Sequence, residues 1–423
     1  HRTSENTRNA LVRIEVVNCF AEPTVIHWHG MIVPDSADGH PHQAVRSGGR
    51  YTIEFTVRNP AGTYLYHPHP HRITGRQTYY GLAGLLIVRE PRALDAGLPD
   101  PEHELPLVLQ DRRFGAGNEL VFKRMMMDDM NGVLGDRVLV NGVDDAAFRV
   151  APRPYRLRIA NVSNARIYKL AWSDGRPLRA IGSDGGLFNR GEGVQERSYV
   201  TLFPFERVEL LEDFGARRDG AEIALVSRAF SGLDMMDSMM GGGMMGGMMG
   251  PSQGEELHIA RFTVSPGPRS RAQALKLPEP EGPAREGKHE LYTQLAFRHM
   301  RGFLNGRSFD ADDMQAVADD ERLPVGEASL WTFANDGRGM AMSHPIHVHG
   351  VRFRVVERSG GTMPADLRDG MIDTGYKDTF GIFAGERVRV LIAPTVPGLF
   401  MYHCHNLEHE DGGMMRNCQF SDR

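Results

Sequence analysis

At 423 residues the chain is too long for one ordinary domain and is expected to fold as two or three. A formal net charge of −5 gives no electrostatic footprint for nucleic acid or an anionic membrane surface, and no apolar run approaches the length of a membrane span. Three cysteines exclude a disulfide scaffold, whereas 18 histidines and 22 methionines are an unusual stock of metal donors.

The predicted elements, in chain order, are mostly strands. VIHWHG (25–30) carries a first His-x-His pair, and SADGHPH follows it. In YTIEFTV (51–57), Tyr51, Ile53, Phe55 and Val57 share one face while Thr52, Glu54 and Thr56 share the other, the alternation of a half-buried strand. AGTYLYHPH (61–69) brings a second pair. Further on, Leu157 and Ile159 alternate with Arg156 and Arg158, and PFERVELLEDF (204–214) repeats the strand segment without a histidine pair. Residues 233–250, LDMMDSMMGGGMMGGMMG, intersperse Met235, Met236, Met239, Met240, Met244, Met245, Met248 and Met249 with glycine, a composition with little packing potential. A stretch rich in proline and charge at 266–288 reads as a linker. PIHVHG (345–350), AGERVRVLIA (384–393) and PGLFMYHCH (397–405) then return the first three segments in the same order. The expectation is three related β domains, 1–95, 96–265 and 289–423, with metal chemistry in the first and third.

Four His-x-His pairs result: His27/His29, His67/His69, His347/His349 and His403/His405. On a strand, residues i and i+2 face one way roughly 6–7 Å apart, so one pair can serve two adjacent ions. Cys404, between two of these histidines, faces the other way. His344, three residues before His347, also faces away from that pair, and His409 and Met414 follow Cys404 closely. Two histidines, a thiolate and a weak axial thioether describe a blue-copper site; zinc would leave the methionine and the four pairs unexplained. The eight remaining imidazoles are too many for one ion and suit three.

HWHG, HPHPH, HPIHVHG and HCHNLEHEDGGMM, in this order, resemble the four copper motifs of the multicopper oxidases, and most closely those of bacterial three-domain laccases and copper-efflux oxidases. The resemblance implies an all-β fold of three cupredoxin-like Greek-key sandwiches and four copper ions, one type 1, one type 2 and two type 3. By that resemblance His27 and His347 match the type 2 ligands. His29, His67, His69, His349, His403 and His405 match the type 3 pair, and His344, Cys404, His409 and Met414 match type 1. Pro68 occupies the cysteine's place in the first repeat, so domain 1 has no blue copper of its own. Electrons are expected to enter singly at type 1 and to reach the cluster through the His403–Cys404–His405 triplet. Asp38 and Glu410 resemble the acids that supply protons.

The main functional expectation is a laccase-like oxidase that couples one-electron oxidation of phenols to reduction of O2 to water. The alternative is a cuprous oxidase, with the Met-rich segment, Met342 and Met340 gathering Cu(I); Met340 stands where those oxidases have an acid. A third reading, a copper or electron-transfer protein without oxygen chemistry, is disfavoured by the eight cluster-type histidines. The run Met125–Met127 with Met130 reads equally as core or loop packing. Cys19 and Cys418 either join domains 1 and 3 or remain buried free thiols. His40, His42 and His71 lie near the motifs, with a surface position the plainer expectation. No signal peptide is visible at His1, only about ten residues precede LVRIEVVN (11–18), and a periplasmic or secreted monomer that uses neither membrane nor nucleic acid is expected.

Overall fold

The computed structural model describes residues 3–89, 96–122, 127–231, 233, 251–281, 287–336, 342–361 and 364–422. Met235, Met236, Met239, Met240, Met244, Met245, Met248, Met249 and Met340 lie outside these residues. The described chain is dominated by strands, which form three β units in succession.

The first unit has one sheet ordered Ser4–Thr7, Gly84–Arg89, Gly62–Pro68, Ile26–His27, and a two-stranded antiparallel sheet of Leu11–Val17 with Arg50–Thr56. Its core collects Trp28, Ile53, Phe55, Tyr64, Leu86 and Val88. Ile53 and Phe55 are buried and Glu54 is exposed, as the alternation predicts. The third unit pairs two five-stranded sheets; one contains His344–Val348, Gly398–Cys404 and Met415–Ser421. In each unit a parallel neighbour interrupts the antiparallel pairing, as with Ser4–Thr7 on Gly84–Arg89 and His289–Arg298 on Ser329–Asn335. Parallel neighbours need a crossover connection, so the strands run in Greek-key rather than simple meander order.

The second unit departs from expectation on one point. The strand Pro154–Asn161 is buried on both faces, not half-buried: Arg156 and Arg158 are 2% exposed. Docking against the first unit covers that face, and the arginines are neutralised there. Glu209 accepts from Arg156 Nε at 2.9 Å and from Arg158 Nη1 at 2.7 Å, Thr63 of the first unit donates to it at 2.7 Å, and Glu104 closes the network. The helix Leu407–Asp411 is a meeting point of all three units. Asp411 accepts from Thr74 and Gly75 backbone N–H groups, while Glu408 accepts from Val133 N and Asn164.

Cys19 and Cys418 form no bridge: Cys19 is an exposed free thiol and Cys418 a buried one. Among the described residues no helix is long and apolar enough to cross a membrane.

Candidate metal centre

The repeat reappears as identical pairing register. Ile26 lies opposite Pro68 and His27 opposite His67; Ile346 lies opposite Cys404 and His347 opposite His403. Each antiparallel pair thus presents four histidines on one face, and the first and third units meet along those faces. All eight rings are fully buried.

Their nitrogens converge across the unit boundary. His27 Nε2 is 3.3 Å from His347 Nε2, His67 Nε2 is 3.3 Å from His405 Nε2, and His69 Nε2 is 3.4 Å from His403 Nε2. His349 Nε2 lies 3.0 Å from His403 Nε2. What the other ring nitrogens touch decides how these contacts are to be read. Nδ1 of His27, His67, His347 and His403 faces the backbone carbonyls of Asp38, Pro68, Asp378 and Cys404 at 2.8, 2.9, 2.8 and 3.1 Å. A carbonyl only accepts, so each Nδ1 carries the proton and each Nε2 points inward with a bare lone pair. His349 is fixed the same way by the Asp38 carboxylate at 2.8 Å. His29 is turned round: Nε2 faces Asp378 Oδ1 at 3.1 Å and Thr379 Oγ1 at 3.0 Å, which leaves a buried Nδ1 without a hydrogen bond among the described residues. Burial, helped by neighbouring histidines, holds His29, His67, His69, His347, His349 and His405 well below the usual histidine pKa. Lone pairs opposed in this way, at 3.3 Å between His27 and His347 and 3.0 Å between His349 and His403, repel one another unless a cation stands between them, so the donor set fits metal ions.

The opposite face of the strand Gly398–Cys404 holds a second set. His344 Nδ1 is 3.4 Å and His409 Nδ1 3.6 Å from Cys404 Sγ, with 3.2 Å between the two nitrogens. His409 Nε2 donates to the Met130 carbonyl at 2.8 Å, so its Nδ1 lone pair also points inward. Burial pushes the Cys404 thiol up and His344 well down. A thiolate at this place therefore needs a cation beside it. Met414 is buried and its backbone is tied to both neighbours, accepting from Cys404 N at 3.0 Å and donating to His409 O at 2.9 Å.

Comparison with known proteins agrees with this geometry. Models of the multicopper oxidase family match residues 3–93 and 285–422. A laccase from Bacillus stratosphericus is 31% identical over 429 residues, covering 93% of this chain and 79% of that protein. The chain belongs to the multicopper oxidases. The multicopper oxidase mco of Staphylococcus haemolyticus is 29% identical over 96% of this chain and 78% of its own length. The crystal structure of McoA from the hyperthermophile Aquifex aeolicus superposes with a TM-score of 0.84 at 30% identity, covering 99% of this chain and 88% of that one. As a family member this oxidoreductase uses four copper ions, one type 1, one type 2 and two type 3, with O2 and a reducing substrate.

The oxidase's two candidate acids both touch the histidine set. Asp38, fully buried, receives His349 through Oδ2, and its Oδ1 lies 3.5 Å from His27 Nδ1 and has no hydrogen bond among the described residues. Glu410 Oε2 lies 3.2 Å from His403 Nδ1 and Oε1 3.5 Å from His69 Nε2. His40 is buried, not on the surface, and stands on Asn417 at 2.9 Å; burial lowers it to about 4. His42 leans on His40 at 2.7 Å.

Several site residues escaped the sequence reading. Asp378 and Thr379 contact His29 and His347, and the Met130 carbonyl fixes His409. The weak signal for the first two was KDTF (377–380), charge running straight into a strand. A backbone carbonyl leaves no signal in residue type. Met130 and Met342 line a cavity of about 30 Å³ beside His409, together with Leu233 and Gln253, which flank the Met-rich segment.

Proposed function

We propose that this oxidase takes electrons singly from small donors at the His344–Cys404–His409–Met414 set and reduces O2 at the eight-histidine set. The type 2 ion would be held by His27 and His347, and the type 3 pair by His29, His67, His69, His349, His403 and His405. The observation that carries the reading is the inward lone pairs of both sets, on opposite faces of one strand. Bound copper supplies one-electron chemistry: four electrons collected one at a time and delivered to O2 to give two waters. The chain's part is to orient and to move protons. The carbonyls of Asp38, Pro68, Asp378 and Cys404 fix ring tautomers, as outer partners of metal-bound histidine generally do. Asp38 Oδ1 and the Glu410 carboxylate, both buried and free of hydrogen bonds among the described residues, hold and release protons beside the set.

The donor follows from the entrance. A laccase-like oxidase of phenols needs the edge of His409, but that edge donates to Met130 O beside a small cavity. The second reading, oxidation of Cu(I), is favoured here because two methionines, Met130 and Met342, line the same cavity together with Leu233 and Gln253, and a thioether is a soft ligand. The deciding experiment is oxidation of a phenol by fully loaded protein with and without excess Cu(II). Brisk turnover without added copper supports direct phenol oxidation, whereas activity that needs Cu(II) supports the cuprous reading. A copper content near one per chain would sink both. A periplasmic or secreted monomer is the setting that suits copper loading.

A further inference from the structure

The second unit supplies no histidine to either donor set, yet it reaches the larger one. Arg207, at the start of the strand Arg207–Asp213, is 1% exposed. All five of its N–H groups are used. Nε donates to Thr63 O of the first unit at 3.1 Å. Nη1 donates to Phe205 O at 3.1 Å and to Asp378 Oδ1 at 2.7 Å. Nη2 donates to Asp184 O at 3.0 Å and to Asp378 Oδ2 at 2.5 Å. One guanidinium thus joins all three units, and its fork grips Asp378 with both hydrogen bonds in the geometry that only arginine provides.

Asp378 is the residue that faces the histidines. Its carbonyl fixes His347 and its Oδ1 fixes His29 in the tautomer opposite to that of the neighbouring rings. Thr379 Oγ1 donates to the same Oδ1 at 2.9 Å. The space is also reserved by Gly30, the glycine of HWHG. At φ +81°, a Cβ there would stand 2.3 Å from Asp378 Oδ2 and 2.8 Å from Arg207 Nη2. That glycine is therefore required by the ion pair as well as by the turn. Both carboxylate oxygens are taken by the guanidinium fork, one by Nη1 and one by Nη2, the geometry of an ionised pair.

We propose that Arg207 is a positioning residue for the copper cluster: through Asp378 it holds His29 and His347 in their ligating orientations. This gives the copperless second unit a part in the cluster, and it rests on the reading that these histidines bind copper. Lysine cannot replace the fork, because a compact ammonium with three N–H groups cannot meet both carboxylate oxygens and three carbonyls.

The test compares wild type, Arg207→Lys and Asp378→Asn, each fully copper-loaded. Three quantities are followed: copper per chain, the type 2 electron paramagnetic resonance signal, and the rate of copper loss to a chelator. Blue absorption is recorded in parallel. Both variants should keep the blue absorption, show an altered type 2 signal, and lose cluster copper about tenfold to a hundredfold faster, the usual cost of removing an outer partner of a ligand. Wild-type copper content, signal and loss rate in both variants would overturn the proposal. Loss of blue absorption in step with the rest would overturn it too, since Arg207 would then serve the fold in general. Should Arg207→Lys fail to fold, the isosteric Asp378→Asn decides alone. Wild-type protein that loads no copper beyond the Cys404 set would refute the ligand reading itself, a result distinct from either.

Discussion

The strands Gly62–Pro68 and Gly398–Cys404 share a template and differ on one face. Both send two histidines to the boundary between units, and both pair with a partner strand in the same register. On the opposite face the third unit has His344, Cys404 and His409, where the first has Thr24, Pro68 and Ile73 at matching offsets. Thr24 donates to Gln77 at 2.7 Å, and Pro68 closes its strand, where a missing N–H costs little. Because side chains alternate with a period of two, one face of a strand can lose its metal while the other keeps it. The shared face is the more constrained of the two, since each half of the donor set is useless without the half from the other unit.

The sharpest way to break this contrast is Cys404→Ser, which brings the third unit towards the state of the first. Blue absorption and donor oxidation should both fall to background, while three ions remain because His403 and His405 are on the other face. A variant that stayed blue would refute the assignment. Next in size is Glu410→Gln. Glu410 lies against His403 of the third unit and His69 of the first, so it spans the shared face. Its loss should slow turnover about a hundredfold or more and remove one limb of the pH–rate profile, with copper content unchanged. An unaltered profile would remove Glu410 from proton transfer.

The contrast also explains what could be read without a structure. The four pairs, Cys404 and the repeat were legible because strand alternation and ligand chemistry are local properties. Arg207 and Arg158 were not, since each sits in a segment that reads as an ordinary strand with an outward arginine. Whether such an arginine meets solvent or a buried carboxylate depends on how units dock, and no local pattern encodes that. Asp378 was obscured for the same reason, and Met130 because its carbonyl acts rather than its side chain.

The docking face itself yields the third test. Glu209 is fully buried between Arg156 and Arg158, and although burial alone would raise its carboxyl, the two arginines bring it from 4.5 to about 2. The stabilisation from this depressed carboxylate is complete above the unfolded value near 4.5 and is lost as pH falls through about 2. Its size is about 3 kcal/mol from the shift. Glu209→Gln should cost about 3–5 kcal/mol at neutral pH by leaving two guanidiniums unpaired, and the variant should lose less further stability between pH 4.5 and 2. Denaturant titrations at several pH values check both, and parallel losses in the two proteins would contradict the ion-pair account.

The smallest effect is expected at Met414, the residue that completes the face missing from the first unit. Its side chain lies under Gly302, where a Cβ would come within 2.2 Å of Met414 Cβ and 3.0 Å of its Sδ, so a side chain at 302 would crowd the thioether's present position. Leucine has nearly the same volume, and Met414→Leu should cost about 1.5 kcal/mol or less in stability. The histidines and Cys404 remain, so copper and blue colour should remain as well. What changes is the axial donor: a weak sulfur ligand is replaced by hydrocarbon, which favours the reduced ion and raises the type 1 potential. A redox titration of the blue absorption reads this directly. A lowered potential would mean that Met414 is not the axial donor and that the third-unit face is completed by a different group.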